Sequence, residues 1–115
     1  MRGTKAILSE ALKKADPSST APIHLSFDVD VFDRQDAPAT GTPVENGPQL
    51  GELFKLGSEL ATTGRLKSMD VVELNPQIGN KEQILKTFFM TMEFVENTLK
   101  KAVIPQDFFA MPVTA

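Results

Sequence analysis

Two short apolar runs, each flanked by segments with helical periodicity, constrain the fold of this chain more than any other feature of its sequence. The runs cover residues 23–30 and 67–74, and each carries acidic residues near its carboxyl end. Apolar residues spaced three and four apart predict helices over residues 1–15, 48–63 and 80–101. Strands that alternate with helices favour a parallel sheet with right-handed crossovers. We therefore predict an α/β fold with the order helix, strand, helix, strand, helix.

Two further segments lack any helical or strand periodicity. Residues 31–47 are rich in Pro, Gly, Thr and Asp, and a connection of this length in a compact domain usually carries a function. Residues 102–115 are predicted to form an irregular tail with Phe108 and Phe109 as docking points. Because two strands leave both edges of a sheet open, we interpret residues 1–115 as a single segment of a larger sheet.

Composition narrows the classes of function. The chain has 115 residues, of which 41% are apolar, and this is enough for one folded domain. Its net charge of −3 gives no electrostatic argument for binding nucleic acid or anionic membranes, and its lack of cysteine excludes disulfides and thiolate metal sites. Residues 1–14 lack the long apolar stretch of a signal peptide or a membrane span. We expect a cytoplasmic protein with neither nucleic-acid nor membrane partners.

Asp28 and Asp30 lie at the end of the first apolar run. We predict that the first strand runs through both residues, so their side chains should project from the same side, because side chains alternate along a strand. Two neighbouring carboxylates repel each other unless a cation lies between them, and hard divalent metal ions prefer such oxygen ligands. Glu73 lies at the carboxyl end of the second run, and the carboxyl ends of parallel strands meet at the edge where ligands bind. The three acids predict a metal or catalytic site, although capping acids at a solvated strand end would explain the aspartate pair alone equally well.

Several other side chains have structural interpretations. His24 alternates onto the face of Ser26 and Asp28, and we predict a packed, hydrogen-bonded histidine rather than a further metal ligand. Asp33 is predicted to be a turn residue. One apolar face of the third helix is expected to pack in the core, and it consists of Ile84, Phe88, Met92, Val95 and Leu99.

Two blocks of the sequence resemble a known family. The first is Ile-His-Leu-Ser-Phe-Asp-Val-Asp at residues 23–30, followed by Ala-Pro-Ala-Thr-Gly-Thr-Pro-Val at residues 37–44. The second is Met-Asp-Val-Val-Glu-Leu-Asn-Pro at residues 69–76. Together they resemble the ureohydrolase superfamily, and arginases most closely, over roughly residues 23–100. The resemblance implies that the chain is the C-terminal portion of a three-layer α/β/α fold built on a parallel sheet.

Arginases hydrolyse L-arginine to L-ornithine and urea with two manganese ions, and the resemblance implies roles for individual residues of this chain. Asp28 would bridge the two Mn²⁺ ions, and Asp30 would bind one of them. Glu73 would pair with the guanidinium group of L-arginine or a related guanidino substrate. Asp33 would be a structural acid near the site, and Thr42 would orient Glu73. The resemblance also implies a homo-oligomer, either a trimer or a hexamer.

The sequence departs from the arginase pattern in ways that bear on activity. The family's Gly-Gly-Asp-His and Asp-Ala-His-x-Asp motifs, which supply its other metal ligands, do not occur, and His24 is the only histidine. Val31 and Phe32 stand where arginases usually have Gly-Leu, and residues 34–36 replace a turn that contains proline. We therefore expect the isolated chain to lack arginase activity.

Two alternatives remain open. One is a non-catalytic remnant or interaction module that pairs through its open sheet edges. The other is a segment of a different ureohydrolase, an agmatinase or a formiminoglutamase, and Val31 with Phe32 leans slightly toward the latter enzyme.

Overall fold

The computed structural model describes residues 3–101, with the side chain of Lys101 left out. The elements are α1 (Thr4–Ala15), β1 (Ile23–Asp28), α2 (Leu50–Thr62), β2 (Leu66–Val72) and α3 (Lys81–Lys101). This order confirms the predicted α/β class. The predicted tail at residues 102–115, including Phe108 and Phe109, lies outside the described residues. Within the described part, no helix combines the length and the apolar character that a membrane span requires.

The two strands pair in parallel. Leu25 lies opposite Met69, and Asp28 lies opposite Val72. The carboxyl ends of both strands therefore meet at one edge of the sheet. Among residues 3–101 the sheet has two strands, so each strand has one edge without a partner in that part of the chain.

The first strand ends two residues earlier than the sequence predicted. We predicted a strand through Asp30, whereas β1 ends at Asp28 and a 3-10 turn, Val29–Val31, follows. The Asp28 carboxylate accepts a hydrogen bond from the backbone N–H of Asp30 at 2.8 Å. This local side-chain bond competes with the strand ladder and stabilises the turn instead. The two aspartates are therefore placed by a turn and not by strand alternation.

The core lies between the sheet and the helices α2 and α3. Phe27 of β1 stacks on Phe94 of α3 with ring centroids 3.8 Å apart, and it meets Phe32 edge-on at 5.5 Å. Val29 and Leu53 belong to the same buried cluster. Because Val29 and Phe32 follow β1 directly, the core anchors the start of the loop that carries the predicted site.

The face that α3 turns to the core differs from the predicted one. Phe88, Met92 and Leu99 were expected in the core but are 45%, 47% and 39% exposed. The prediction is therefore wrong for these three residues, whereas Ile84 and Val95 are half-buried. The buried residues of α3 are Thr87, Thr91, Phe94 and Thr98.

Hydrogen bonds within α3 explain why Thr87 and Thr91 are buried, and close packing of α2 against α3 explains the position of Thr98. Thr87 Oγ1 donates to the carbonyl of Gln83 at 2.8 Å, and Thr91 Oγ1 donates to the carbonyl of Thr87 at the same distance. A threonine whose hydroxyl bonds to its own helix satisfies its polar atom without solvent. Gly57 of α2 leaves room for Thr98, because a Cβ atom at that glycine would overlap the Thr98 hydroxyl.

Candidate metal centre

The acidic residues predicted from the sequence, Asp28, Asp30 and Glu73, lie at the carboxyl edge of the sheet. Asp28 is the last residue of β1, and Asp30 lies in the turn that follows. Because Val72 is the register partner of Asp28, Glu73 leaves β2 at the same edge. This is the side of a parallel sheet where ligands generally bind.

The two carboxylate oxygens of Asp30 have different surroundings. Oδ2 accepts a hydrogen bond from the hydroxyl of Thr42. Oδ1 is shielded from solvent and has no hydrogen-bond partner among residues 3–101. A desolvated carboxylate oxygen is unfavourable unless a donor or a cation compensates it. Asp30, beside the exposed carboxylate of Asp28, therefore offers the kind of oxygen donor that fits a hard divalent cation.

Thr42 contacts a different acid from the one the sequence assigned to it. We predicted that it orients Glu73, whereas its hydroxyl donates to Asp30. The contact still links the loop between β1 and α2 to the predicted site. Asp30 is therefore held at two points: its carboxylate accepts a hydrogen bond from Thr42, and its backbone N–H donates one to Asp28.

Glu73 has an unusual backbone conformation. Its φ angle is +68°, in the left-handed region that a residue with a side chain rarely adopts. Such conformations persist where the surrounding structure enforces them, and they are frequent at functional sites. Within residues 3–101, however, no three His, Asp or Glu side chains approach closely enough to share one metal ion. Glu73 therefore lies at the edge of the site and not in a ligand cluster with Asp28 and Asp30.

Asp33 organises the loop that follows β1. Its carboxylate accepts hydrogen bonds from the backbone N–H groups of Gln35 at 2.9 Å and Gly47 at 3.0 Å. These two hydrogen bonds lower the pKa of Asp33 below its usual range, because they stabilise the ionised carboxylate. The bond from Gln35 has the larger effect. A Cβ atom at Gly47 would lie 2.9 Å from the backbone nitrogen of Asp33, so the close approach requires glycine. Asp33 thus joins the two ends of the loop.

The middle of the same loop is attached at Ala39. Its backbone N–H donates to the hydroxyl of Thr87 at 2.9 Å, and its carbonyl accepts from the backbone N–H of Asn75 at 3.1 Å. The loop is therefore tied both to α3 and to the segment that follows Glu73. Sequence reasoning missed Thr87, because a threonine inside a helix gives no sign of a distant partner.

His24 lies on the same sheet face as Asp28 but contacts other residues. Its Nδ1 is 2.6 Å from Ser68 Oγ, and its Nε2 is 3.0 Å from Asp70 Oδ2. Ser26 donates to the other oxygen of Asp70 at 2.6 Å. The hydrogen bond from Ser26, followed by that from His24, lowers the pKa of Asp70. With both ring nitrogens engaged, the histidine is hydrogen-bonded as predicted. It is not packed as predicted, because half of its side chain is exposed at the surface of the two-stranded sheet.

Comparison with known proteins places the chain in a family. The model of the family described as Arginase family matches residues 1–99. The chain is 38% identical to an arginase of Schizosaccharomyces pombe over 102 residues, which cover 89% of this chain and 32% of that protein. It is 50% identical to the human mitochondrial arginase-2 over 66 residues, which cover 57% of this chain and 19% of that protein.

Solved structures agree with this relationship. The crystal structure of arginase from Bacillus subtilis matches with a TM-score of 0.71 and 34% identity, covering 89% of this chain and 34% of that one. A formiminoglutamase from Trypanosoma cruzi matches with a TM-score of 0.57 and 26% identity, covering 80% of this chain and 32% of that one. The chain thus spans about a third of the length of these two structures and of the S. pombe relative. Because the family model covers 99 of its 115 residues, the chain belongs to the arginase family.

Proposed function

We propose that this chain contributes Asp28, Asp30 and Glu73 to a ureohydrolase active site that, when complete, hydrolyses L-arginine to L-ornithine and urea. The observation that carries the proposal is the desolvated, unpartnered Oδ1 of Asp30 beside Asp28 at the carboxyl edge of a parallel sheet. Membership of the arginase family supports hydrolase chemistry. The TM-score of 0.71 with an arginase, against 0.57 with a formiminoglutamase, supports L-arginine as the substrate.

The two aspartates would hold divalent metal ions, and manganese is the ion that the family resemblance implies. Bound metal ions of this kind activate water for attack and stabilise negative charge that develops in the transition state. The contribution of this chain is to fix the ligand carboxylates before metal binds: the backbone N–H of Asp30 holds Asp28, and Thr42 holds Asp30. Because two carboxylates do not complete a two-metal site, we expect the remaining ligands to come from elsewhere in the complete active site.

Glu73 would recognise the substrate. A carboxylate and a guanidinium group form paired, charge-assisted hydrogen bonds with matching planar geometry. The left-handed backbone of Glu73 fixes the direction in which its side chain leaves the sheet edge. The hydrogen bond from the backbone N–H of Asn75 to the carbonyl of Ala39 ties the segment after Glu73 to the site loop.

A chimeric enzyme tests the proposal directly. Residues 3–101 would replace the matching segment of Bacillus subtilis arginase, and urea release from L-arginine would be measured with added Mn²⁺. We expect the folded chimera to release urea and the 115-residue chain alone to release none, because the chain offers only part of the ligand set. Turnover by the isolated chain would show that the two aspartates suffice, contrary to our proposal.

Matched variants assign the activity to the named residues. In the chimera, Asp28→Asn and Glu73→Gln should each abolish measurable urea release, whereas Glu52→Gln on the exposed first turn of α2 should leave it unchanged. An active Asp28→Asn chimera would rule out the metal-ligand role. Agmatine and formiminoglutamate, assayed in parallel, distinguish the other ureohydrolase specificities.

A non-catalytic interaction module is the second candidate function. The observation that favours it is the two-stranded sheet, which has unpaired edges within the described residues. A chimera that folds, binds Mn²⁺ and still releases no urea would favour this candidate over the catalytic one.

A further inference from the structure

A buried hydroxyl on α3 holds the middle of the loop between β1 and α2. Thr87 of α3 and Ala39 of the loop are both fully buried. The Thr87 hydroxyl donates to the carbonyl of Gln83 at 2.8 Å and accepts from the backbone N–H of Ala39 at 2.9 Å. Because the hydroxyl acts as donor and acceptor at once, it joins the helix to the loop away from solvent.

The position of Ala39 depends on this one side chain. Without the Thr87 hydroxyl, the backbone N–H of Ala39 would lose its acceptor. A buried backbone N–H without a partner is unfavourable, and folded proteins rarely contain one. The loop would relieve the loss by moving the Ala39 N–H toward solvent or toward another acceptor.

Ala39 lies close in the chain to both parts of the proposed site. Its carbonyl accepts from the backbone N–H of Asn75 at 3.1 Å, and Asn75 lies two residues after Glu73. Ala39 also lies three residues before Thr42, whose hydroxyl donates to the carboxylate of Asp30. One buried residue of the loop is therefore connected to a proposed metal ligand on one side and to the proposed substrate-binding acid on the other.

These short connections assign a role to the hydroxyl on α3. Two or three residues of chain span at most about 10 Å, so little slack separates Ala39 from the two contacts. We propose that Thr87 is a positioning residue that sets the places of Asp30, through Thr42, and of Glu73, through Asn75. The proposal rests on the proposed function, because it assumes that these two acids act in a ureohydrolase site.

Thr91 provides a matched comparison on the same buried face of α3. Its hydroxyl donates to the carbonyl of Thr87 at 2.8 Å, as that of Thr87 donates to Gln83. It is 3% exposed, and within residues 3–101 no loop N–H donates to it. Valine at either position keeps the shape of the side chain and removes one hydroxyl bonded within the helix. The two substitutions therefore differ mainly in the contact to Ala39.

Metal affinity and substrate affinity of the chimera measure the positioning. Thr87→Val should raise the dissociation constant for Mn²⁺ by about tenfold or more, which is the usual cost of losing a group that orients a metal ligand. At saturating Mn²⁺ it should also raise the KM for L-arginine, because Glu73 is the proposed guanidinium partner. Thr91→Val should change each constant by less than about twofold, since it leaves the loop contact intact.

A conservative variant separates positioning from general destabilisation. Thr87→Ser keeps the oxygen that accepts from Ala39, and it should restore most of the Mn²⁺ affinity and lower the KM again. Urea denaturation should show some loss of stability in both valine variants. Such a loss reduces the amount of folded enzyme but leaves the two constants of the folded fraction unchanged, so it does not imitate the expected result.

Hydrogen exchange in the unsubstituted 115-residue chain tests the contact without any variant. The amide of Ala39 should exchange at least about 100-fold more slowly than the amide of Gly41, which lies in an exposed part of the same loop. In Thr87→Val the amide of Ala39 should lose this protection, whereas in Thr91→Val it should keep it.

Three results would overturn the proposal. The first is an equal effect of Thr87→Val and Thr91→Val on the two constants. The second is an effect of Thr87→Val on only one constant, because a single hydroxyl would then not serve both acids. The third is exchange of the Ala39 amide as fast as that of Gly41, and this comparison decides the matter if Thr87→Val does not fold.

The two proposals fail separately. A folded, unsubstituted chimera that released no urea would contradict the proposed function. The Mn²⁺ affinities and the exchange rates would still decide whether Thr87 positions the loop, since neither measurement requires turnover. An active chimera whose Thr87→Val variant behaved like Thr91→Val would instead retain the proposed function and remove the role of Thr87.

Discussion

At the residue scale, the loop between β1 and α2 depends on the ionised carboxylate of Asp33. Asp33→Asn removes the charge that the backbone N–H groups of Gln35 and Gly47 stabilise. We expect the variant to lower the midpoint of urea unfolding at pH 7. The measurement is urea denaturation of both proteins at a series of pH values.

The sign of the pH dependence follows from the lowered pKa of Asp33. Its contribution to stability is fully present above the unfolded value of about 3.9 and is lost as the pH falls through the lower folded-state pKa. The difference between wild type and Asp33→Asn should therefore shrink toward zero below that pKa. A gap of constant size at all pH values for Asp33→Asn would contradict the assignment.

The candidate site shows which residue-level features a sequence reveals. Asp28 and Glu73 reach the same edge because parallel strands place their carboxyl ends together, and this much follows from the alternation of strands and helices. The bond between Thr42 and Asp30 depends on the path of the loop, which no periodicity describes. The early end of β1 depends on one local hydrogen bond, from the backbone of Asp30 to the side chain of Asp28.

At the element scale, the start of α3 is set by a reciprocal capping interaction. The N–H of Gln83 donates to Asn80 Oδ1 at 2.8 Å, and the N–H of Asn80 donates to Gln83 Oε1 at 2.9 Å. Asn80→Ala should therefore lower the free energy of unfolding by about 1 kcal/mol. Thermal or urea denaturation measures the change, and Asn80→Ser, which retains a capping oxygen, should lose much less. Equal losses in the two variants would exclude the cap as the cause.

The same helix shows where element-level prediction succeeds and where it fails. Asn80 followed by Gln83 is a recognisable capping pair, so the helix start is predictable from the sequence. The buried face of α3 is not predictable in the same way. The helix carries one row of large apolar residues and one row of threonines at similar spacing, and periodicity favours the apolar row. The buried row, with Thr87 and Thr91, is marked by hydroxyl groups that bond within the helix, and this is visible only in the structure.

At the scale of the whole molecule, Phe94 joins all the layers of the core. It stacks on Phe27 of β1, its ring lies 6.3 Å from that of Phe54 in α2, and its own backbone belongs to α3. Burial of this ring couples the sheet to both helices, so the folded unit should unfold as one. Fold class and element order are predictable from the alternation of apolar runs and segments with helical periodicity. The dependence of the core on one ring is not, because Phe27 and Phe94 are 67 residues apart in the sequence and meet only in the folded structure.

Phe94→Ala tests that dependence against a second phenylalanine on the same helix. Removing the buried ring should lower the free energy of unfolding by about 3–5 kcal/mol, because the substitution leaves a cavity between the sheet and the helices. Phe89→Ala, where the native side chain is 58% exposed, should change it by less than about 0.5 kcal/mol in dilute, monomeric protein. Urea denaturation followed by both far-ultraviolet circular dichroism and one-dimensional NMR measures the loss and its cooperativity. If Phe94→Ala melted α3 while the β1–β2 pair kept its native signals, the core would not be a single unit, and the argument from the shared ring would fail.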